Sequence, residues 1–313
     1  FLAPGLIDLH TDALEGHFIP RPKVYWPDTR AAVLAHDAQT VGSGITTVFD
    51  AICAGGQELM RAARRDLYDA MLDAVDSGGA LFRADHLIHL RCELTDPDLM
   101  ALVEPALTRR SLKLASLMDH TPGARQWRDV EVLRTFLLGI GKSREEVDAT
   151  VTSSAERCRA AADRNFAPLV QMLSGRGIAL ASHDDTTPEH VRLAKQAGCT
   201  ISEFPTTPEA AAAARAEGLS TIGGAPNMVR GGSHSGGVAM ADLVDEDLLD
   251  AFASDYVPAS LLQAVARLAG SGMPLPKAMA LVTANPARLA GLSDRGRLAK
   301  GLRADLLRFR MVE

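Results

Sequence analysis

Ile178-Ala179-Leu180-Ala181-Ser182-His183-Asp184-Asp185-Thr186-Thr187-Pro188-Glu189 is a short apolar run that breaks into polar residues and then into a helix start. Thr187 suits an N-cap, Pro188 the first helical position, and Glu189 the positive end of the helix. That helix should stop at Gly198, and Thr200–Phe204 is strand-like again. Thr206-Thr207-Pro208-Glu209 repeats the same opening 20 residues later, before an Ala-rich helix ending at Gly218 and a strand at Ser220–Gly224. Strand, cap, helix, glycine and strand in immediate repetition predict parallel strands joined by helical crossovers.

Working outward, the same rhythm places strands near Gly5–His10, Ile45–Ile52, His86–Glu93, Leu112–Met118, Ile178–His183, Thr200–Phe204, Ser220–Gly224 and Ala251–Asp255. Eight such strands close a barrel. An open doubly wound sheet would call for GxGxxG after an early strand, and none is present. The expected fold class is therefore α/β, a (β/α)8 TIM barrel over residues 4–290. One stretch, Ala124 to Leu173, interrupts the rhythm with helical periodicity and a capping box at Ser143 and Glu146; a lid and a plain surface helical pair fit it equally. The tail, residues 291–313, differs: Gly296 to Phe309 reads as strand-turn-strand of a partial small β-sandwich formed by the chain termini. Phe1 stands where a Met would, and Leu6 and Ile7 already look like mid-strand, so an N-terminal piece is expected to be missing.

Composition bounds the function. The 313 residues are 47% hydrophobic, enough for a sizeable core, and aromatics at 4% disfavour a β-sandwich. A net charge of −6 argues against a nucleic-acid partner, while local Arg and Lys could still bind a small anion. No apolar stretch is long enough for a membrane span. Cys53, Cys92, Cys158 and Cys199 lack CxxC spacing and read as reduced thiols of a cytoplasmic protein. Homo-oligomerisation is left open.

Barrel enzymes keep their chemistry at the C-terminal ends of the strands. The first strand ends His10-Thr11-Asp12, a pair two residues apart that can share one face; the third ends in Glu93, the fourth runs into Asp119-His120, the fifth ends in His183 and the eighth in Asp255. Alone, an HxD pair is weak. Three imidazoles and three carboxylates converging at one mouth are the ligand set of a dinuclear hydrolytic site.

Pro4-Gly5-Leu6-Ile7-Asp8-Leu9-His10 and Gly301-Leu302-Arg303-Ala304-Asp305-Leu306 resemble the opening and closing segments of the amidohydrolase superfamily. The resemblance sharpens over nearly the whole chain to a diphosphatase family acting on a phosphorylated sugar phosphonate. It is carried by Pro20-Arg21-Pro22-Lys23-Val24, His89-Leu90-Arg91-Cys92-Glu93-Leu94, Ser116-Leu117-Met118-Asp119-His120, Ser182-His183-Asp184-Asp185, Glu203-Phe204-Pro205-Thr206-Thr207, residues 224–236 and Ser254-Asp255-Tyr256. It implies one metal on His10, Asp12 and Asp255, a second on His120 and His183, and Glu93 bridging them. The two divalent ions would be zinc by default, with manganese, iron and nickel alternatives. Many members open with HxH and bridge with a carboxylated lysine; Asp12 and Glu93 replace these here.

The implied reaction cuts an α–β phosphoanhydride and releases pyrophosphate, with Asp255 as general base toward the attacking water. A polyanionic substrate would need Arg21, Lys23, Arg91 and Arg230, with Ser233 and His234 on a glycine-rich loop. Each lone Arg would ordinarily be a solvated surface charge; its place beside the mouth favours a binding role. His89 and His86 are core or supporting residues, His36 is as readily structural as functional, His17 could support the first strand, and His190 reads as an exposed helical residue. The alternatives are an amide or cyclic-amide hydrolase on the same barrel and a non-catalytic subunit with a structural metal, which should be coordinatively closed.

Overall fold

A computed structural model describes the chain except for residues 22–23, 57–60, 140, 234 and 312–313. β1 (Leu2–Pro4) leads into eight parallel strands: β2 (Leu6–Thr11), β3 (Ile45–Ala54), β4 (Asp85–Glu93), β5 (Leu112–Met118), β6 (Ala179–His183), β7 (Ile201–Glu203), β8 (Ser220–Gly224) and β9 (Ala251–Ala253). Each pairs with the next in sequence order, the arrangement that βα repetition dictates. The last strand returns to the first through Asp12 N–H to Asp255 O at 2.7 Å and Asp255 N–H to His10 O at 3.0 Å. The chain therefore forms a nearly closed barrel.

The repeated caps form as the sequence predicts. Thr187 and Thr207 accept from the backbone N–H groups of His190 and Ala210, opening helices Pro188–Gln196 and Pro208–Ala216 with proline in the first turn. The two loops then lock together, with Thr186 and Thr206 hydroxyls 2.9 Å apart and Thr207 donating to Thr186 O at 2.8 Å. Ile7, Leu9, Phe49, Leu114, Ile201 and Ile222 fill the barrel interior, while Ile52, Ile88, Leu90 and Phe252 pack outward against the helices. Fully burying a side chain of this size contributes about 1.5–3 kcal/mol.

β2 breaks the simple alternation. Its pairing with β3 slips between Asp8 and Thr11, as a bulge does. Leu9 lies in the interior cluster, yet its neighbour His10 also reaches the inner mouth, where it meets Glu203. Gly5, just before this strand, is required by a close approach: a Cβ there would stand 2.1 Å from Thr46 Oγ1.

The insertion is a 3-10 turn, Arg125–Trp127, and two helices, Val130–Gly139 and Arg144–Leu173, the second opened by the Ser143/Glu146 capping box. Asn165 ties this long helix to the loop after β4 through Leu94 O and Asp96 O at 2.9 and 2.8 Å. The tail corrects one expectation. Of Gly296–Phe309 only β10 (Leu306–Arg308) is a strand, and its antiparallel partner is β1, not a second tail strand. Ion pairing explains the rest: Arg295 and Arg303 both reach Asp85 Oδ2, at 2.5 and 2.8 Å, which fixes the preceding residues to the entry of β4 instead of leaving them to pair.

Candidate metal centre

Three strand ends share a backbone feature that sets the site. Asp184, Phe204 and Asp255 directly follow or lie just beyond β6, β7 and β9, with φ of 54°, 53° and 55°. Non-glycine residues rarely adopt this left-handed conformation, and such strain gathers at functional sites. It also shortens β7 and β9 relative to the expected Thr200–Phe204 and Ala251–Asp255, because the turn ends the ladder.

Donor atoms of His10, Asp12 and Asp255 lie within 4.8 Å of one another, as do those of His120, His183 and Asp184. The two groups are adjacent: the His10 and His183 rings stack with centroids 6.0 Å apart. His10 Nε2 is 3.5 Å from Asp12 Oδ1, and Asp184 Oδ2 is 3.6 and 3.5 Å from His120 Nε2 and His183 Nε2. His10 Nε2 and Asp184 Oδ2 are buried without a hydrogen-bond partner. Stranded polar atoms of this kind are costly unless something unseen satisfies them. Imidazole nitrogens and carboxylate oxygens facing one another across such gaps fit divalent cations.

Behind these donors lies a layer of carboxylates. Glu203, fully buried, accepts from Nδ1 of His10 at 2.8 Å and of His183 at 2.7 Å. Glu93 accepts from His120 Nδ1 at 2.5 Å and from the Thr95 hydroxyl at 2.6 Å. Glu93, expected as the bridging ligand, thus has its carboxylate on His120 Nδ1 and the Thr95 hydroxyl. The tight turn after β4, with Asp96 N–H on Glu93 O at 3.0 Å, brings Thr95 onto its carboxylate. The carboxylate grouped with His120 and His183 is that of Asp184. Neither Asp184 nor Glu203 was singled out from sequence, although both lie in the quoted motifs.

The charges follow from this packing. Burial, reinforced by the Asp12 charge, pushes the Asp255 carboxyl up to about 7. Burial alone would depress His10 and His120; the carboxylates on their Nδ1 atoms outweigh it and lift both to about 10. His89 is driven the other way, to about 3, first by burial. It bridges Leu9 O at 3.1 Å and the Ser116 hydroxyl at 3.0 Å as a neutral floor beneath the site.

The expected anion-binding residues divide. Arg91 is 9% exposed and its Nη1 donates to Asp12 Oδ1 at 2.7 Å, so it braces a candidate ligand. Arg21, in the connection after β2, and Arg230, the last residue of helix Ala225–Arg230 after β8, are exposed. The Ser233 hydroxyl pairs with that of Ser235 at 3.1 Å. Lys23 and His234 lie outside the described residues. The insertion borders this face: Arg125 Nη1 holds His183 O at 2.9 Å and Asp185 Oδ1 at 2.8 Å, and Trp127, Glu131, Val132, Thr135 and Phe136 line a cleft with Ser235.

The other histidines serve the scaffold. His36 Nε2 and His86 Nδ1 grip Asp50 at 2.6 and 2.7 Å, outside the barrel wall. His86 Nε2 continues to Asp37 at 3.3 Å. His17 pairs with Gln39, and His190, half-buried rather than exposed, accepts from Thr186 N–H.

An eight-stranded parallel barrel with histidine and carboxylate donors at its C-terminal mouth defines the class of metal-dependent barrel hydrolases. The chain belongs to the amidohydrolase family, whose model matches residues 1–311. It is 44% identical to the alpha-D-ribose 1-methylphosphonate 5-triphosphate diphosphatase of Escherichia coli (strain K12), over 98% of this chain and 82% of that protein. Among solved structures, N-acetyl-D-glucosamine-6-phosphate deacetylase from Mycobacterium smegmatis superposes with a TM-score of 0.59 at 18% identity, covering 97% of this chain and 81% of that one. An adenine deaminase does so at 0.53 and 16%, covering 98% and 76%. Identities this low speak for the fold alone. Among the described residues no helix is long and apolar enough to cross a membrane.

Proposed function

We propose that this chain hydrolyses the α–β phosphoanhydride of alpha-D-ribose 1-methylphosphonate 5-triphosphate, releasing pyrophosphate and the 5-phosphate in phosphonate degradation by the carbon–phosphorus lyase pathway. The observation that carries the reading is 44% identity, across nearly the whole chain, to a diphosphatase of that substrate, joined to a donor set suited to two cations. His10, Asp12 and Asp255 would hold one divalent ion, and His120, His183 and Asp184 the other, zinc by default of ligand chemistry. Bound there, the ions supply Lewis acidity toward phosphoryl oxygen and lower the pKa of water.

The chain's own groups do the rest. Asp255 takes the proton of the attacking water; its buried, Asp12-flanked carboxyl is a strong base for its type. The water oxygen bonds to phosphorus as the bond to the bridging oxygen breaks, and pyrophosphate carries away that electron pair. Glu93 orients His120, and Arg91 steadies Asp12. Arg21, Lys23 and Arg230, with Ser233 and His234, are assigned to the phosphate and phosphonate groups, where Arg can pair bidentately. We place the protein in the cytoplasm, acting on a small molecule without nucleic acid or membrane.

The test is pyrophosphate release by metal-reconstituted protein, with nucleoside triphosphates and a panel of amides alongside. Release that a chelator abolishes and metal restores supports the reading. Turnover of an amide with none of the triphosphate overturns it in favour of the amidase alternative.

A further inference from the structure

Glu203 ends β7 with both carboxylate oxygens committed. Oε1 takes the Nδ1 hydrogen of His10 and Oε2 that of His183, one histidine from each group of metal donors. The residue has no exposed surface, so no water competes for these oxygens. An ionised carboxylate only accepts hydrogen bonds. Both imidazoles must therefore carry hydrogen on Nδ1, so that when each ring gives up any Nε2 proton to bind a metal, the lone pair it offers is on Nε2, toward the mouth. There His10 Nε2 is stranded without a hydrogen-bond partner, and His183 Nε2 stands 3.5 Å from Asp184. His120 has its own orienting carboxylate in Glu93. Among the described residues, Glu203 alone is hydrogen-bonded to a histidine of each group.

We propose that Glu203 is a positioning residue shared by both halves of the metal centre, fixing the tautomer and aim of His10 and His183 together. The inference rests on the dinuclear reading above. It makes an asymmetric prediction. In Glu203→Gln one amide oxygen can still accept from one histidine, but the NH2 group can only donate. The histidine facing NH2 must offer Nδ1 as acceptor, which moves its own hydrogen to Nε2 and removes the lone pair that binds metal. One half-site keeps its geometry while the other loses it.

The experiment is titration of metal-free protein with Co2+ against a competing chelator, following the visible absorbance per equivalent, with circular dichroism and melting of the metal-free forms. Wild type should bind two equivalents. Glu203→Gln should retain one and weaken the other about 10- to 100-fold, the usual effect of losing a ligand's supporting partner. Glu203→Asp, which keeps an acceptor-only carboxylate, should restore the second equivalent with reduced affinity, and it serves as the test should the glutamine variant not fold. Two wild-type affinities in Glu203→Gln, equal loss of both in a folded protein, or Glu203→Asp failing to hold two equivalents would each overturn the proposal. Wild type binding fewer than two would instead overturn the dinuclear reading.

Discussion

Removing Asp50 should unsettle the scaffold while sparing the metal mouth. Its carboxylate joins His36 and His86 at 2.6 and 2.7 Å, and the chain continues through His86 to Asp37, which also accepts from the backbone N–H groups of Arg83 and Ala84. All four side chains are buried between the barrel wall and helix Thr29–Gly42. Each hydrogen bond to a charged group is worth about 1.5–3 kcal/mol, and stripping one partner from a buried ionic cluster typically costs about 3–5 kcal/mol because charge is left uncompensated. Asp50→Ala should therefore destabilise by about 3–5 kcal/mol, which at roughly 2 °C per kcal/mol for a chain of this size lowers Tm by about 6–10 °C. Melting by circular dichroism at pH 6 reads this out, with Co2+ binding unchanged as the control. Burial would raise the Asp50 carboxyl, but the imidazoles of His86 and His36 outweigh it and hold it well below the usual range, so its contribution is full above the unfolded value near about 3.9 and is lost as pH falls below it. His86 is shifted up, chiefly by Asp50 against the pull of burial; its contribution is full below about 6.5 and is lost as pH rises through its higher folded value. The gap between wild type and variant should thus be widest between about pH 4 and 6.5 and narrow on either side. A Tm shift under about 2 °C at pH 6, or a gap independent of pH, would refute the reasoning.

At the mouth, Asp255→Asn should retain the fold and most bound metal while cutting kcat about 10²–10⁴-fold, the usual worth of a general base; full activity would remove Asp255 from that role. Asp184→Asn should weaken the metal on His120 and His183 about 10-fold or more, measured by chelator competition, with the His10 group unaffected. Arg230→Ala should raise KM for a triphosphate several-fold without changing Tm, because the side chain is exposed; an equal effect on an uncharged amide would show that it binds no phosphate.

The barrel was legible because its signals are local. Thr187-Pro188 and Thr207-Pro208 cap their helices whatever surrounds them, and the glycines after those helices complete the repeat. The strand ends could be read for the same reason, which is why the expected set was His10, Asp12, Glu93, His120, His183 and Asp255; the structure brings donors of His10, Asp12 and Asp255 together and, beside them, those of His120 and His183. The roles of Asp184 and Glu203 were not readable. Asp184 points into the site only because its backbone turns left-handed after β6, and Glu203 matters only through histidines 193 and 20 positions away. Alternation also misleads at β2, where the register slip lets Leu9 and His10 both serve the inside. The antiparallel sheet of the two chain termini was expected and forms; what local pattern did not encode is that the tail contributes one strand to it, β10 against β1 about 300 residues away, and not two.

The central claim concerns which bond breaks. Phosphorus NMR of alpha-D-ribose 1-methylphosphonate 5-triphosphate incubated with metal-loaded protein reads that directly. The account predicts pyrophosphate and the 5-phosphate in equal amounts. Orthophosphate with the 5-diphosphate, or an unchanged triphosphate, would contradict it.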